Sequence, residues 1–271
     1  MINGGEQLIP RKLHYCWFGR NPLSPLAKKC IKSWEKYCKG YEIIEWNEDN
    51  FDLSVMPLYV RQAYEAKKWA FVTDYVRLKV VYDHGGIYMD TDVEVLRSLD
   101  DLLQFDAFFG FEFGNCIATG LGFGAVAGMP ILGEMMCDYC EIPFVKEDES
   151  IDLTSCPVRN TEVFLRHGLR KENVNQTLER NIRIFSTEYF CPKDYFLGTT
   201  IITPNTYSIH HYDGSWMDSD RKRMRKERIK QRNQEKRKKQ IKRLIHAPSR
   251  FLYQLLGVER YNRLKQRISK R

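Results

Sequence analysis

Two aspartates, Asp90 and Asp92, stand one residue apart directly after the apolar run Ile87-Tyr88-Met89. Side chains two residues apart in an extended chain point to the same side, so their carboxylates would lie close together. Like charges at such a distance resist joint ionisation unless a cation lies between them. Hard divalent cations such as Mg²⁺ or Mn²⁺ bind carboxylate oxygens and keep positions for phosphate groups. The spacing therefore predicts a metal-bound diphosphate, and a solvated turn is the alternative without function.

The segment that precedes these acids has the pattern of a helix followed by a short buried strand. Residues Leu58 to His84 predict a helix with a break near Lys67, and the glycine pair at 85–86 predicts its C-terminal cap. Residues 87–89 then predict a strand that ends on Asp90. In open α/β sheets, ligands collect at the carboxyl ends of strands. The position of the two acids is thus suited to a binding site.

Strand and helix patterns alternate through the rest of the first 220 residues, which predicts an α/β sandwich. The predicted strands are Lys12–Phe18, Tyr41–Trp46, Ala107–Phe113, Gly122–Ala127 and Tyr207–Tyr212, and the predicted helices are Ser24–Cys38, Pro130–Cys140 and Val158–His167.

Length and composition fit one large domain with an appendage: the chain has 271 residues, of which 43% are hydrophobic. No uncharged apolar run reaches the roughly 18 to 20 residues needed to cross a bilayer, and residues 1–12 lack the pattern of a secretory signal. The eight cysteines have no framework spacing, which favours reduced thiols. These features predict a cytoplasmic location.

Charge is distributed unevenly along the chain. Residues 221–271 hold 21 lysines and arginines against 3 acidic residues, whereas residues 1–220 hold 22 against 32. We therefore predict a body at 1–220 and a basic tail at 221–271. The second half of the tail interleaves its cations with apolar side chains, namely Phe251, Leu252, Leu255, Leu256, Tyr261 and Leu264.

This tail pattern predicts a helix that lies on an anionic membrane surface, at the inner face of the cytoplasmic membrane. Each cation near such a surface contributes on the order of 1 kcal/mol. A merely solvated tail is the first alternative. Nucleic-acid binding is the second, and we predict no nucleic-acid partner because the acidic body would repel a polyanion.

Four segments follow one another in a specific order: IPRKLHYCWFG from Ile9, AFVTDYVRLKVVYDHGGIYMDTDVEVL from Ala70, TSCPVRNTEVF from Thr154 and IHHYDGSW from Ile209. Together they resemble the DXD-containing glycosyltransferases of the GT32 group. That group includes bacterial capsular and lipopolysaccharide sugar transferases, with large clostridial glucosylating toxins as distant relatives. The resemblance covers residues 9–216 and implies a GT-A fold, a nucleotide-sugar donor and retention of anomeric configuration.

The same resemblance assigns catalytic roles to Asp90, Asp92 and Arg77. Asp92 would bind a Mn²⁺ or Mg²⁺ ion directly, and Asp90 would hold donor hydroxyls and reach the ion through water. Tyr88 would flank the donor, while Asp74 and Arg77 would hold the donor sugar and its diphosphate. Arginine suits paired phosphate oxygens because its guanidinium is permanently charged and forked. Their spacing alone also fits an exposed ion pair on one helix face.

Further donor contacts follow from the resemblance at more distant positions. Trp17 would stack on the nucleotide base, although a core tryptophan has the same pattern. Asn115 would contact the donor sugar. Ser215 and Trp216 would form a lid that closes over the diphosphate and excludes water.

The third metal ligand must be chosen from a pair of adjacent histidines. His210 and His211 face opposite ways in a strand, so only one can approach the ion. Alignment with the family motif favours His210, and Asp213 is the alternate ligand. The predicted metal set is therefore Asp90, Asp92 and His210.

The predicted function is metal-dependent transfer of a sugar, from a UDP-sugar rather than GDP-mannose, to a glycan or lipid-linked oligosaccharide in surface polysaccharide synthesis. No second carboxylate is evident as a covalent nucleophile, which favours attack by the acceptor on the face that the diphosphate leaves. Two alternatives remain. IYMDTDVEV also resembles the nucleophile motif of haloacid-dehalogenase-type phosphatases, and the basic tail is compatible with a non-catalytic adaptor for membrane or nucleic acid.

Overall fold

The structure, a computed structural model, describes residues 8–214, 219–246, 256–263 and 266. The chain divides into two compact units, one of residues 1–195 with 199–216 and the other of residues 196–198 with 217–271. The boundary predicted at residue 220 stays a prediction.

The first unit contains ten strands and six α-helices among its described residues. The strands are β1 Lys12–Cys16, β2 Glu42–Trp46, β3 Gly86–Tyr88, β4 Val93–Val95, β5 Ala107–Glu112, β6 Cys116–Ile117, β7 Phe123–Ala125, β8 Gln176–Leu178, β9 Ile182–Phe185 and β10 Ser208–His210, and the helices are α1 Pro25–Tyr37, α2 Leu58–Glu65, α3 Trp69–His84, α4 Pro130–Cys140, α5 Cys156–Arg166 and α6 Thr187–Phe190.

Eight of these strands form one mixed sheet with the order β2-β1-β3-β7-β5-β9-β8, and β6 adds to β5. Strand β1 runs parallel to β2 and β3, whereas β7 runs antiparallel to both of its neighbours, β3 and β5. Strands β10 and β4 form a separate antiparallel pair. The mixed sheet with its helices confirms the predicted α/β fold class.

Apolar side chains are buried on both faces of the sheet, in two hydrophobic clusters. Strand β5 shows why its sequence is an almost continuous apolar run. Phe109 and Phe111 belong to the cluster that contains residues of α2, α3, α4 and α5, whereas Phe108 belongs to the cluster that contains residues of α1 and α6. A strand that is covered on both faces loses the alternation of apolar and polar residues.

Capping residues and glycines in the sequence correctly predicted where α1 begins and where α3 ends. The side chain of Ser24 accepts a hydrogen bond from the amide of Ala27 and caps α1, as predicted. The predicted break near Lys67 separates α2 from α3, and Gly85, with a φ of 61°, ends α3. Four short strands that the sequence pattern did not predict, β4, β6, β8 and β9, have two to four residues each. Such strands are too short for a periodic signal.

The carboxyl end of α3 is joined to β1 through a buried histidine. The Nε2 atom of His14 donates to the carbonyl oxygen of Gly85 at 2.8 Å, and its Nδ1 atom accepts from the indole nitrogen of Trp46 at 3.1 Å. A Cβ atom at Gly86 would approach His14 Nε2 within 2.8 Å, so the turn needs glycine for space as well as for its φ of 115°. The imidazole is therefore neutral, with both nitrogens used.

We expect His14 to make the fold sensitive to acid. Burial lowers the pKa of His14 to about 4, with smaller contributions from nearby His84 and Lys12. The unfolded chain then binds a proton near pH 6.5 and the folded chain does not, so stability is present above that pH and is lost as pH falls. Between pH 7 and pH 4 the wild type should lose about 3 kcal/mol more unfolding free energy than the variant His14→Gln. Urea unfolding at both pH values measures this difference, and equal losses in the two proteins would contradict the prediction.

The second unit contains one long helix among its described residues, α7 Ser219–His246. Within this unit the guanidinium of Arg232 lies over the ring of Phe196 at 5.5 Å, and the Asn233 amide donates to the carbonyl oxygen of Leu197. Most apolar residues of the tail pattern (Phe251, Leu252, Leu255 and Leu264) lie outside the described residues. No helix in the described ranges is both long enough and apolar enough to span a bilayer.

Candidate functional site

The two aspartates lie in a tight turn that joins β3 to β4. They were predicted on an extended segment, but the strand ends at Tyr88 and the backbone turns, with the amide of Val93 donating to the carbonyl of Asp90 at 3.0 Å. The amide of Asp90 donates to the carbonyl of Gly120 at 3.2 Å. The turn, rather than the alternation of a strand, brings the two carboxylates to one side.

His210 completes a cluster with both carboxylates. One potential ligand atom from each of Asp90, Asp92 and His210 lies within 4.8 Å of the other two. His210 Nε2 is 3.2 Å from an Asp92 carboxylate oxygen, and the other Asp92 oxygen accepts from the backbone amide of Asp213 at 2.8 Å. The pairing of β10 with β4 sets this geometry because His210 lies opposite Val93, the residue that follows Asp92.

The environment drives the pKa values of the two carboxyl groups in opposite directions. Burial raises the pKa of Asp90, and the charge of Asp92 adds to that effect against the opposing influence of Arg77. Burial would also raise the pKa of Asp92, but the charge and hydrogen bond of His210 outweigh it and hold that pKa well below its usual range. Asp92 in turn raises the pKa of His210 against the effect of burial. Asp92 is thus ionised at neutral pH. The charged form of Asp90 is disfavoured by burial and by its neighbour Asp92.

These three residues fit a divalent metal ion. The Nδ1 atom of His210 is buried and has no hydrogen-bond partner among the described residues. Two carboxylates this close repel each other, and a cation between them would remove that repulsion. Two carboxylate oxygens suit Mg²⁺ or Mn²⁺, and an imidazole nitrogen favours Mn²⁺ of the two. The Asp90, Asp92 and His210 side chains would hold such an ion.

Arg77 joins this cluster from the middle of α3. Its guanidinium is buried, and its Nη2 atom lies 3.1 Å from a carboxylate oxygen of Asp74 and 3.2 Å from a carboxylate oxygen of Asp90. The Tyr88 hydroxyl donates to Asp90 at 2.9 Å, and the guanidinium lies over the Tyr88 ring at 5.2 Å from its centroid. The alternative of an exposed ion pair between Asp74 and Arg77 is therefore wrong. Arg77 is a fixed cation between two acids. Its Nη1 atom has only long contacts, to the Thr119 hydroxyl at 3.5 Å and the Cys156 sulfur at 3.6 Å, which a phosphate oxygen could replace.

Gly120 allows the close approach of Asp90. A Cβ atom at this position would overlap a carboxylate oxygen of Asp90 and lie 3.3 Å from the guanidinium of Arg77. We expect Gly120→Ala to displace the Asp90 carboxylate and lower the rate of the proposed reaction about 10²-fold, the usual effect of a misplacement near 1 Å. Manganese titration and turnover measure the loss.

The matched control for this variant is Gly133→Ala. A Cβ atom there would meet only a ring carbon of Tyr82 at 3.5 Å, an ordinary contact. This helix position should accept alanine with unchanged turnover. Equal turnover in the two variants would show that the space at Gly120 has no functional importance.

The other predicted site residues are distributed as follows. His211 binds Glu94, with Nε2 2.8 Å from the carboxylate, and so faces away from the cluster as predicted for one of the two histidines. Trp17 follows β1, is half-buried and donates from its indole nitrogen to the carbonyl of Asn21. Asn115 lies in the turn after β5, and its amide donates to the carbonyl of Lys171 rather than to the cluster. Ser215 and Trp216 lie outside the described residues.

Glu112, the last residue of β5, was not predicted as part of the site. Burial raises the pKa of its carboxyl to about 7, with His210 and Arg77 opposing the shift and Asp90 adding to it. The available signal was its place after the apolar run Ala107–Phe111, at the carboxyl end of a strand like Asp90. Cys156 is a second such residue: its sulfur lies 3.6 Å from Arg77 and 3.9 Å from the Thr119 hydroxyl.

The segment that carries the two aspartates is similar to a known protein family. Residues 24–109 match the family described as "Glycosyltransferase sugar-binding region containing DXD motif". Over these residues the chain is similar to that sugar-binding region. The predicted resemblance to DXD-containing glycosyltransferases is thereby confirmed for this part of the chain, which includes Asp74, Arg77 and both motif aspartates.

Two curated proteins are similar to the DXD region and its surroundings. "Uncharacterized glycosyltransferase L373" of Acanthamoeba polyphaga mimivirus is 22% identical over 222 residues, which are 77% of this chain and 84% of that protein. "Inositol phosphoceramide mannosyltransferase 3" of Schizosaccharomyces pombe is 27% identical over 132 residues, which are 46% of this chain and 35% of that protein. The relatives are glycosyltransferases by name, and the match to the second spans about a third of its length.

Two solved structures of low similarity carry related names. "PaToxG Glycosyltransferase" is 16% identical with a TM-score of 0.46, over 59% of this chain and 69% of that chain. The "glycosyltransferase involved in the glycosylation of the major capsid of PBCV-1" is 12% identical with a TM-score of 0.42, over 80% of this chain and all of that chain. The α/β fold of this chain is defined by its strand order and by the packing on both faces of the sheet.

Proposed function

We propose that this chain transfers a sugar from a nucleotide-sugar donor to a glycan acceptor, in a reaction that depends on a divalent metal. The observation that carries the proposal is the cluster of Asp90, Asp92 and His210 beside the buried Arg77, inside the DXD region. A cation site next to a fixed guanidinium is suited to a diphosphate, which has several negatively charged oxygens.

The roles of the side chains follow from this geometry. Arg77 would donate to phosphate oxygens and stabilise the charge that develops on the leaving diphosphate. Asp74 and Asp90 hold the guanidinium in place, and Asp90 has capacity to accept from sugar hydroxyls. When bound, a divalent ion would add Lewis-acid stabilisation of the leaving group.

The finer features of the reaction are inferred from the resemblance to the GT32 group. We infer a UDP-sugar donor, retention of configuration and an acceptor of the lipid-linked oligosaccharide class, as in bacterial surface polysaccharide synthesis. Trp17 would contact the base, Asn115 the donor sugar, and Ser215 with Trp216 would close the site. GDP-mannose is the alternative donor, since one relative is named a mannosyltransferase.

A donor panel tests this function directly. The full chain is incubated with Mn²⁺ and with UDP-glucose, UDP-galactose, UDP-N-acetylglucosamine or GDP-mannose, and release of the nucleoside diphosphate is measured. We expect slow hydrolysis of one donor, abolished by a chelator and restored by added Mn²⁺. Absence of hydrolysis, together with no binding of UDP or GDP in the presence of Mn²⁺, would contradict the proposal.

The same assay separates the two rival functions. A haloacid-dehalogenase-type phosphatase would release phosphate from p-nitrophenyl phosphate and leave nucleotide sugars intact. A non-catalytic adaptor would do neither. The match of residues 24–109 to a sugar-binding region favours sugar transfer over both.

For the tail we propose association with an anionic membrane surface at the cytoplasmic face. The support is the charge of residues 221–271 and the helix α7, whose 28 residues have few apolar side chains. The full chain should sediment with phosphatidylserine vesicles, whereas a chain ending at Asp220 should stay in the supernatant. Added salt should weaken the binding of the full chain. Equal retention of both chains would contradict this proposal.

A further inference from the structure

Glu112 lies at the same edge of the sheet as the two motif aspartates. Strand β7 separates β3 from β5 and runs antiparallel to both, so β3 and β5 run in the same direction. The carboxyl end of β3 leads to Asp90, and the carboxyl end of β5 is Glu112. Strand order alone therefore brings a third acidic residue to the ligand-binding edge.

The direction of the Glu112 side chain follows from its position in β5. Side chains alternate along a strand, so Glu112 points to the same face as Gly110. A Cβ atom at Gly110 would meet Phe190 at 2.9 Å and Leu121 at 3.6 Å. Leu121 follows Gly120, the residue against which the Asp90 carboxylate packs. The Glu112 side chain thus leaves the strand on the side that carries Phe190 and Leu121.

The surroundings of the Glu112 carboxyl agree with this direction. It lies within electrostatic range of His210, Asp90 and Arg77, as well as of the thiols of Cys156 and Cys191. The residue is half-buried. In the described part of the chain, no hydrogen bond or ion pair engages this carboxyl, whereas Asp74, Asp90 and Asp92 all have such partners.

A half-buried carboxyl without a partner carries part of the cost of desolvation, and burial raises the pKa of Glu112 for this reason. A ligand that favours its charged form would offset that cost. The cation is not the ligand that offsets this cost, because Glu112 is outside the group of ligand atoms that lie within 4.8 Å of one another. The diphosphate does not account for it either, since two negative groups repel. What remains of the donor beside Arg77 and Asp90 is the sugar, whose anomeric carbon becomes positively charged as its bond breaks.

We propose that Glu112 is a catalytic residue whose carboxylate faces the anomeric carbon of the transferred sugar and stabilises the positive charge that develops there. This inference rests on the proposed sugar transfer. The bond from the anomeric carbon to the diphosphate oxygen breaks, and its electron pair stays on that oxygen. The acceptor hydroxyl oxygen forms the new bond to the carbon, and its proton passes to the released diphosphate. Glu112 stabilises the charge between these two events.

The variant Glu112→Gln tests this role, since it keeps the shape of the side chain and removes the charge. With the donor that the wild type cleaves, we expect kcat to fall at least about 10²-fold, as for other electrostatic groups at a reacting atom. The affinity for UDP with Mn²⁺, which lacks the sugar, should stay within twofold of the wild type by calorimetry. Glu162→Gln, an exposed position on α5, is the matched control and should change neither value.

The outcomes separate this inference from the function on which it rests. Turnover of Glu112→Gln within threefold of an active wild type would overturn the role of Glu112 alone. So would a loss of UDP–Mn²⁺ affinity as large as the loss of turnover, which would assign Glu112 to the cation site. A wild type that cleaves no donor would overturn both proposals. If Glu112→Gln does not fold, Glu112→Ala decides: restored turnover with added formate supports the role, and no restoration contradicts it.

Discussion

Replacement of Asp92 by asparagine should lower metal-dependent sugar transfer by at least about 10³-fold, which corresponds to the several kcal/mol that a metal contributes to charge stabilisation. Asp92 is the carboxylate whose ionised form the site favours most, because His210 and the amide of Asp213 hold its pKa below the usual range. Asparagine keeps an oxygen that accepts the amide hydrogen bond but removes the charge that a cation needs. The turn itself should therefore survive.

Two measurements and one control define this test of Asp92. Manganese binding is followed by electron paramagnetic resonance, and turnover is followed with the donor that the wild type cleaves. Asp101→Asn removes an aspartate whose side chain is 66% exposed and paired with Arg97, so it should change neither quantity. Full turnover in Asp92→Asn would remove the basis for a metal-bound diphosphate at this position.

Replacement of Arg77 by methionine should lower the free energy of unfolding by about 3–5 kcal/mol, as is typical when one partner of a buried ion pair is removed. The side chain of Arg77 is only 4% exposed and lies between the carboxylates of Asp74 and Asp90. Methionine fills a similar volume and leaves the buried Asp74 and the partly buried Asp90 without the cation that pairs with both. Sugar transfer should be lost as well.

The control for Arg77 is found on the same helix. Lys79 pairs with Asp83 one turn further along α3, where both side chains are about a third exposed. Lys79→Met should change the free energy of unfolding by no more than about 0.5 kcal/mol. Urea unfolding of both variants at pH 7 provides the comparison. Equal losses of unfolding free energy in the two variants would mean that the burial of Arg77 does not strengthen its ion pairs.

The order of helices and strands in the first 200 residues was largely predictable because the signals are local. A capping serine at Ser24, a glycine pair after α3 and an apolar run in β5 each act within a few residues of their position. The short strands β8 and β9 have no such signal and form because β9 pairs with β5 and β8 with β9. Pairing partners far away in sequence stabilise these strands, so a local pattern does not reveal them.

The candidate site was predictable only where chemistry and order along the chain were enough. Two acids after an apolar run indicated a cation, and the adjacent histidines required a choice that residue alternation left open between His210 and His211. The pairing of β10 with β4 places His210 at Asp92 and His211 at Glu94. That choice depends on strand register, which one sequence does not contain.

The sequence by itself determined the α/β class, the position of the motif and the residue types that could bind a cation. Only the tertiary structure decided which distant side chains meet. It buries Arg77 between two acids, brings His210 to Asp92, and places Glu112 at the same sheet edge because β7 reverses direction between β3 and β5. The physical reason is that periodicity and capping act over single turns, whereas strand order and register join residues separated by many elements.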